Sequence, residues 1–388
     1  MITGFHFVLA RSNSSVVFGC GISGQLAAVD FATPAKPRLV DVLNGEMLVQ
    51  SRSLLFDSEG RLVVANRDFL FYNLDSERTV SDRGGAVRSW RFQLEANVST
   101  KMTGRPSRGN GSMGGDNGIN GAVIVRDEQG TELLIGAAMP GFLVAAKLGA
   151  TPAPFGSCDM RTTGPTSPGL TAAFDLSPYL PVGASVPLVV VVSTEDRNLL
   201  ALMQLTKTSA SGTFVPAADW SAVGTLSSAV LKTVGWNATG RGCNRVRVHQ
   251  RSHRAVFSCF GGGHGHASVG FVDISQPHTP ILMEAVPFVT EQPTGMLIVG
   301  DALFVAGGRD LMVFDMAAPV SSTEAPPVLA TCGDACLSVA NVPGQNFHTP
   351  SYSFQAGRHL VFLSAQGDNA MGVVEILDPK VIARLTAE

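Results

Sequence analysis

Short runs of apolar residues follow one another along this chain, each closed by a turn signal. The clearest are Val16-Val17-Phe18, Leu62-Val63-Val64, Leu133-Leu134-Ile135, Leu188-Val189-Val190-Val191, Ala255-Val256-Phe257, Leu303-Phe304-Val305 and Leu360-Val361-Phe362. A second set follows each of these closely: Leu26–Val29, Leu70–Asn73, Phe142–Ala146, Leu199–Leu205, Val269–Val272, Leu311–Phe314 and Val373–Ile376. Runs of this length, punctuated by Gly, Pro, Asn and Asp, predict β-strands. Neither set alternates apolar with polar residues, so these strands are buried on both faces, between neighbouring sheets.

The grouping gives the architecture. Each apolar pair belongs to a group of about four strands that starts with an inner strand and a tight hairpin. Seven such groups predict an all-β fold, a seven-bladed β-propeller of four-stranded antiparallel blades, which protects sheet edges by radial repetition. Read as one domain over 1–388, the blades fall at about 1–45, 46–96, 118–160, 170–220, 241–289, 290–336 and 346–388. Connections 97–117 and 221–240 are inserted on one face. A doubled segment supports repetition: residues 6–40 align with 245–283, placing Phe18 on Phe257, Cys20 on Cys259, Asp30 on Asp273, Pro34 on Pro277 and Pro37 on Pro280. One stretch, Ser221–Thr233, reads as helix.

The junction between third and fourth strands carries a motif. Val29-Asp30 through Pro34, Pro37 and Leu39, and Val272-Asp273-Ile274-Ser275 through Pro277, Pro280 and Leu282, resemble LVIVD-type propeller repeats, whose pattern is V-D-I/V-S-x-P-x-x-P-x-L/V. Met312–Asp315 with Pro319, and Val374–Asp378 with Pro379, match in part. The aspartate suits a side-chain-to-backbone turn bond, and the prolines sit where a strand begins, clear of ladder donors. The resemblance implies a seven-bladed propeller and no single chemistry.

Composition narrows the functions. The chain has 388 residues, 45% hydrophobic and 15% charged, with 42 Gly and a net charge of −3. It has no basic footprint for nucleic acid. Its longest apolar run, Pro187–Val192, is far short of the ~20 residues that span a bilayer, so no membrane insertion is expected. No signal-peptide pattern is legible at the start, and the sequons at Asn13, Asn97, Asn110 and Asn237 matter only in a secreted protein. Cys243 would face Cys259 across a hairpin turning at Arg251, and Cys332 and Cys336 could close locally.

Propeller topology sorts the polar residues by face. Blade-to-blade connections and second-to-third-strand loops share one face, where the inserts 96–118, 156–170 and 221–242 crowd. Long loops of this kind are usually functional or disordered. His6 and His348 precede inner strands of blades one and seven, and His264 and His266 lie in a second-to-third-strand loop of blade five. These four imidazoles could hold a divalent transition metal (Zn, Cu or Fe). His249 and His253 flank the hairpin on the other face. Arg67, Glu195, Arg309 and Asp310 lie in second-to-third-strand loops, Glu195 and Asp310 suiting acid or base roles beside His6 and His348. Asn120, Asn244, Arg245 and Thr294 stand at inner-strand starts as ligand-binding candidates, and Arg245 could grip a carboxylate bidentately. Cys20 reads as a buried packing thiol.

The pattern thus points to a small-molecule-binding propeller with a His-lined site at the channel mouth, suited to metal-assisted or acid/base lyase or hydrolase chemistry. The alternative is a non-enzymatic scaffold whose same face grips a protein or peptide. A third reading, a structural extracellular module, requires secretion.

Overall fold

The computed structural model describes residues 5–387 except 12–13, 22, 50, 75–77, 83–84, 90–91, 100–117, 128, 140, 162, 165–166, 171–172, 194–197, 206–219, 228, 230–242, 260–267, 288–292, 309, 319–324, 333–346 and 366–369. Seven antiparallel sheets stand in a closed ring, a seven-bladed β-propeller. The inner strands, in blade order, are Phe5–Ala10, Ser53–Phe56, Ile119–Arg126, Ala173–Tyr179, Cys243–His249, Pro293–Val299 and Phe347–Gln355. The second strands are Val16–Gly21, Leu62–Ala65, Glu132–Ala138, Leu188–Ser193, Arg254–Cys259, Ala302–Gly307 and Arg358–Ala365. Both apolar sets fall where their burial demands, in the middle of each blade.

The core is seven inter-blade layers, and alternate residues of each second strand serve opposite neighbours. In blade four, Val189 and Val191 pack towards blade three, while Leu188, Val190 and Val192 pack towards blade five. This two-sided burial is why those strands read as unbroken apolar runs. The doubled segment is nevertheless one residue out of register in its second strand. Phe5 pairs with Gly21 as Cys243 pairs with Cys259, so Cys20 matches Ser258 and Phe18 matches Val256. Phe18 accordingly faces blade two, whereas Phe257 faces blade four. His6 therefore matches Asn244, not Arg245.

The aspartate junctions form as their chemistry requires. Asp30, Asp273, Asp315 and Asp378 each accept, through Oδ1, the backbone N–H two residues on, at 2.8–3.0 Å. In blade seven the junction does not start a fourth strand. Asp378 caps a helix, Pro379–Leu385, with proline in its first turn. Val381 and Leu385 bury against blades six and seven, and Arg384 Nη2 meets Asp315 Oδ2 at 2.7 Å. Blade seven so has three strands among the described residues.

The helix expected over Ser221–Thr233 is corrected over Ser221–Ser227; Ala229 is helical, and 228 and 230–233 lie outside the described residues. Trp220–Ser227 is the outer strand of blade four, paired with Asn198–Leu205, so the connection starts beyond it. Blade two also carries an extra hairpin, Arg78–Asp82 with Gly85–Ser89, between its third strand and its outer strand Gln93–Val98. Among the described residues, no helix is long and apolar enough to cross a membrane.

Candidate functional site

Six of the seven inner strands break register at the same place, near their first residue. The breaks lie between Phe5 and Phe7, Ile119 and Gly121, Ala173 and Asp175, Cys243 and Arg245, Pro293 and Gly295, and Phe347 and Pro350. Each is a β-bulge, in which an extra residue is turned out of the ladder and its side chain re-aimed. The extra residues are His6, Asn120, Phe174, Asn244, Thr294 and His348 with Thr349. In blade two, Arg52 holds the matching place, its N–H bonding Ala65 O at 3.1 Å just ahead of the Ser53–Ala65 pair. Seven blades thus present a ring of side chains at one end of the channel, and five of the sequence candidates are in it.

Hydrogen bonds run around this ring from blade to blade. Thr349 Oγ1 donates to His6 O at 3.2 Å, and Ser364 Oγ to the same oxygen at 3.1 Å. Cys20 Sγ lies 3.6 Å from Ser51 O, and Arg52 Nη1 donates to Asn120 Oδ1 at 2.8 Å. Asp175 Oδ2 accepts Val246 N–H at 3.2 Å and Arg247 Nη1 at 2.8 Å. Arg245 Nε donates to Thr294 O at 3.1 Å, and Thr294 Oγ1 to Phe347 O. Ser258 Oγ donates to Asn244 Oδ1 at 3.1 Å, inside blade five. The disulfide Cys243–Cys259 pins the start of that strand.

Arg245 crosses the channel. It starts from blade five, yet its guanidinium carbon lies 4.9 Å from the centre of the Phe7 ring in blade one and 5.5 Å from that of Phe174 in blade four. The residue is only 4% exposed. Burial, partly offset by Asp175 and reinforced by Arg247 and Arg52, lowers it to about 10, so it stays a cation at neutral pH.

His6 and His348 come together across the join of blades one and seven, ring centres 4.9 Å apart and planes at 50°. Burial first, then the charges of His348, Arg52 and Arg245, lowers His6 to about 2. The imidazole is neutral at any physiological pH, with one ring nitrogen a donor and the other an acceptor, and unable to act as an imidazolium acid.

The other candidates fall elsewhere. Arg67 is exposed on the second-to-third-strand loop of blade two, and Asp310 opens the third strand of blade six opposite Gly307. Both belong to the loop level of that face rather than to the bulge ring. Glu195, His264, His266, Arg309 and Cys336 lie outside the described residues. Among the described residues, no group of three or more His, Cys, Asp or Glu could hold a metal ion. Cys20 is buried, and its thiol is pushed well above the usual range.

On the opposite face, His249 is held between Ser252 Oγ at 2.6 Å and Asp301 Oδ1 at 3.0 Å, with Arg251 also on Asp301. This cluster locks the hairpin of blade five to that of blade six.

Sequence reasoning missed Arg52, Phe7, Phe174, Asp175 and Arg247. Arg52 alone had a usable signal, since Ser51-Arg52-Ser53 precedes an apolar run as Phe5-His6-Phe7 does. The others meet only because the ring closes.

Neither a protein-family model nor a curated protein matches the chain. Solved structures similar to it include hydrazine synthase of Kuenenia stuttgartiensis, at 10% identity and a TM-score of 0.56, covering 97% of this chain and 96% of that one. The β-propeller domain of Cps50 (Swd1) from Myceliophteria thermophila is similar at 7% identity and a TM-score of 0.57, covering 96% of each chain. The WD40 β-propeller domain of Doa1 is similar at 9% identity and a TM-score of 0.57, covering 98% of this chain and 95% of that one. At these identities the likeness establishes the propeller fold and nothing about activity.

Proposed function

We propose that this propeller binds a small organic molecule at the bulge-ring end of its channel, with His6 and His348 among the anchoring groups. The observation that carries this reading is the repeated bulge. A bulge in nearly every inner strand, at one level, re-aims side chains inward where a plain propeller would need only packing. Bulges are over-represented beside functional sites for this reason. The residues turned out by them are polar in all but one blade, and several are buried.

Binding is favoured over acid catalysis through His6, because a ring neutral down to about pH 2 supplies no proton as an imidazolium. A divalent metal on His6 and His348 is disfavoured by the guanidinium charges of Arg52 and Arg245, which act on the same ring.

The test is a thermal-shift screen of a small-molecule library, read in parallel on wild type and on a His6→Gln, His348→Gln variant. Compounds that raise the wild-type melting temperature should lose most of that shift in the variant. Hits that stabilise both proteins equally would place binding away from the ring and refute the proposal.

A further inference from the structure

Two buried side chains at the channel mouth each carry a donor with no acceptor among the described residues. Arg245 has its Nε on Thr294 O, yet its Nη1 has no hydrogen-bond partner among the described residues. Asn120, 2% exposed, has its Oδ1 on Arg52 Nη1. A guanidinium can only donate, which fixes the amide's orientation and leaves the NH₂ group as its other end. That Nδ2 likewise has no partner among the described residues. The Nε2 atom of His6 is in the same condition. The three atoms belong to side chains near the starts of the inner strands of blades five, three and one.

Leaving such groups unmatched is costly. A buried donor without an acceptor forfeits its hydration, and a buried charge without a counter-charge forfeits more. The one carboxylate of this layer among the described residues, Asp175, already accepts from Val246 N–H and Arg247 Nη1. Arg245 is flanked by the Phe7 and Phe174 rings, so its Nη1 N–H groups, in the guanidinium plane, are the part left to bind. An acceptor-only planar anion answers all of this at once. Its oxygens take the Arg245 Nη1 donors and the amide NH₂, and its charge offsets those of Arg245 and Arg52. The aromatic flanks suit an organic body behind the anion.

We infer that the channel mouth recognises the carboxylate of a small organic acid, with Arg245 and Asn120 as the anchoring donors. The inference rests on the binding role proposed above and names the class of ligand.

Calorimetric titration of the whole protein tests it, with a series of carboxylates from acetate to citrate and benzoate, the matching primary amides, and inorganic phosphate. At least one acid should bind about tenfold or more tightly than its amide. Arg245→Met and Asn120→Asp should each weaken that acid by about 10- to 100-fold. Asn120→Asp keeps the size and the Arg52 contact while turning the NH₂ into an acceptor. Without added acid, Arg245→Met should melt no lower than wild type, because a buried, under-paired charge has been replaced by apolar bulk. A lower melting point with unchanged acid binding would make Arg245 a structural brace and overturn the inference. Amides that bind as tightly as acids would overturn it while leaving the small-molecule role standing. Phosphate binding without carboxylate binding would overturn the carboxylate assignment. Failure of every probe would overturn it too, and the library screen then decides separately whether the mouth binds any small molecule.

Discussion

His6 shows how much the ring constrains a single residue. Its protonation is opposed by burial and by three neighbouring groups, so the folded chain takes up that proton only near pH 2, whereas the unfolded chain takes it up below about pH 6.5. A group whose folded pKa lies below its unfolded one contributes stability that is complete above the unfolded value and is lost as the pH falls. The slope for one proton is about 1.4 kcal/mol per pH unit, which amounts to about 2 kcal/mol between pH 6.5 and pH 5. His6→Gln removes this contribution. Urea unfolding at pH 7 and pH 5 should therefore show a loss of stability on acidification that is about 2 kcal/mol smaller in the variant. His249, also lowered chiefly by burial, titrates alike in both proteins and cancels from the comparison. Equal acid sensitivity in the two proteins would mean that His6 is solvated like an ordinary histidine. Most of the ring's residues could be picked from the sequence as polar groups at inner-strand starts. What one residue does to the next could not, because His6, His348, Arg52 and Arg245 come from four blades.

At the scale of the element, the bulge needs room on the strand beside it. Gly295 follows the bulged Thr294 and lies against the neighbouring inner strand. A Cβ there would run into His348 O and lie 2.6 Å from His348 C and 2.7 Å from Pro350 Cδ. Backbone atoms cannot swing aside as a side-chain tip can. Gly295→Ala should therefore cost about 1–3 kcal/mol and displace His348, weakening whatever the ring binds. Gly45→Ala, on the outer strand of blade one where a Cβ meets nothing within 4 Å, should be close to neutral. Denaturant midpoints of the two variants check this, and equal shifts would show that the strands part easily. The elements themselves were unevenly legible. Second and third strands announced themselves because both of their faces are buried. That same two-sidedness hid their register, since a one-residue slip exchanges one apolar face for another and changes nothing in the pattern. Bulges were invisible because the extra residue leaves no compositional mark. Ser221–Thr233 has apolar residues at helical spacing, but pairing with Asn198–Leu205 decided the conformation of Ser221–Ser227, and Trp220 and Leu226 are buried by it.

The molecule as a whole is a ring, and a ring has one join that the chain does not cross in sequence. The N-terminal strand Phe5–Ala10 stays within blade one, and blade seven is built from its own consecutive strands, so among the described residues no strand is shared across the join. What holds it is packing and a few side-chain bonds: Ser351 Oγ accepts Ala10 N–H at 2.8 Å, Gln355 Nε2 reaches Ser14 O at 2.5 Å, and Thr349 and Ser364 both donate to His6 O. The apolar layer there comprises Val8, Val17, Phe31, Leu360, Phe362 and Val373, six buried residues among those described, against ten to sixteen in each of the other six layers. The ring should open here first. Phe362 is fully buried and meets Phe31 edge-on at 4.9 Å. Phe362→Ala should cost about 3–5 kcal/mol, and hydrogen exchange should speed up mainly in Phe5–Ala10 and Phe347–Gln355. Phe257→Ala, inside the larger layer between blades four and five, removes the same ring and should leave the exchange of those two strands unchanged relative to the rest. A uniform rise in exchange after Phe362→Ala would mean that the ring unfolds as one unit with no preferred seam. Because His6 and His348 face each other across this join, an opened seam also takes the site apart. Ligand binding should then fall with seam protection in Phe362→Ala, and persist in Phe257→Ala as far as the protein stays folded.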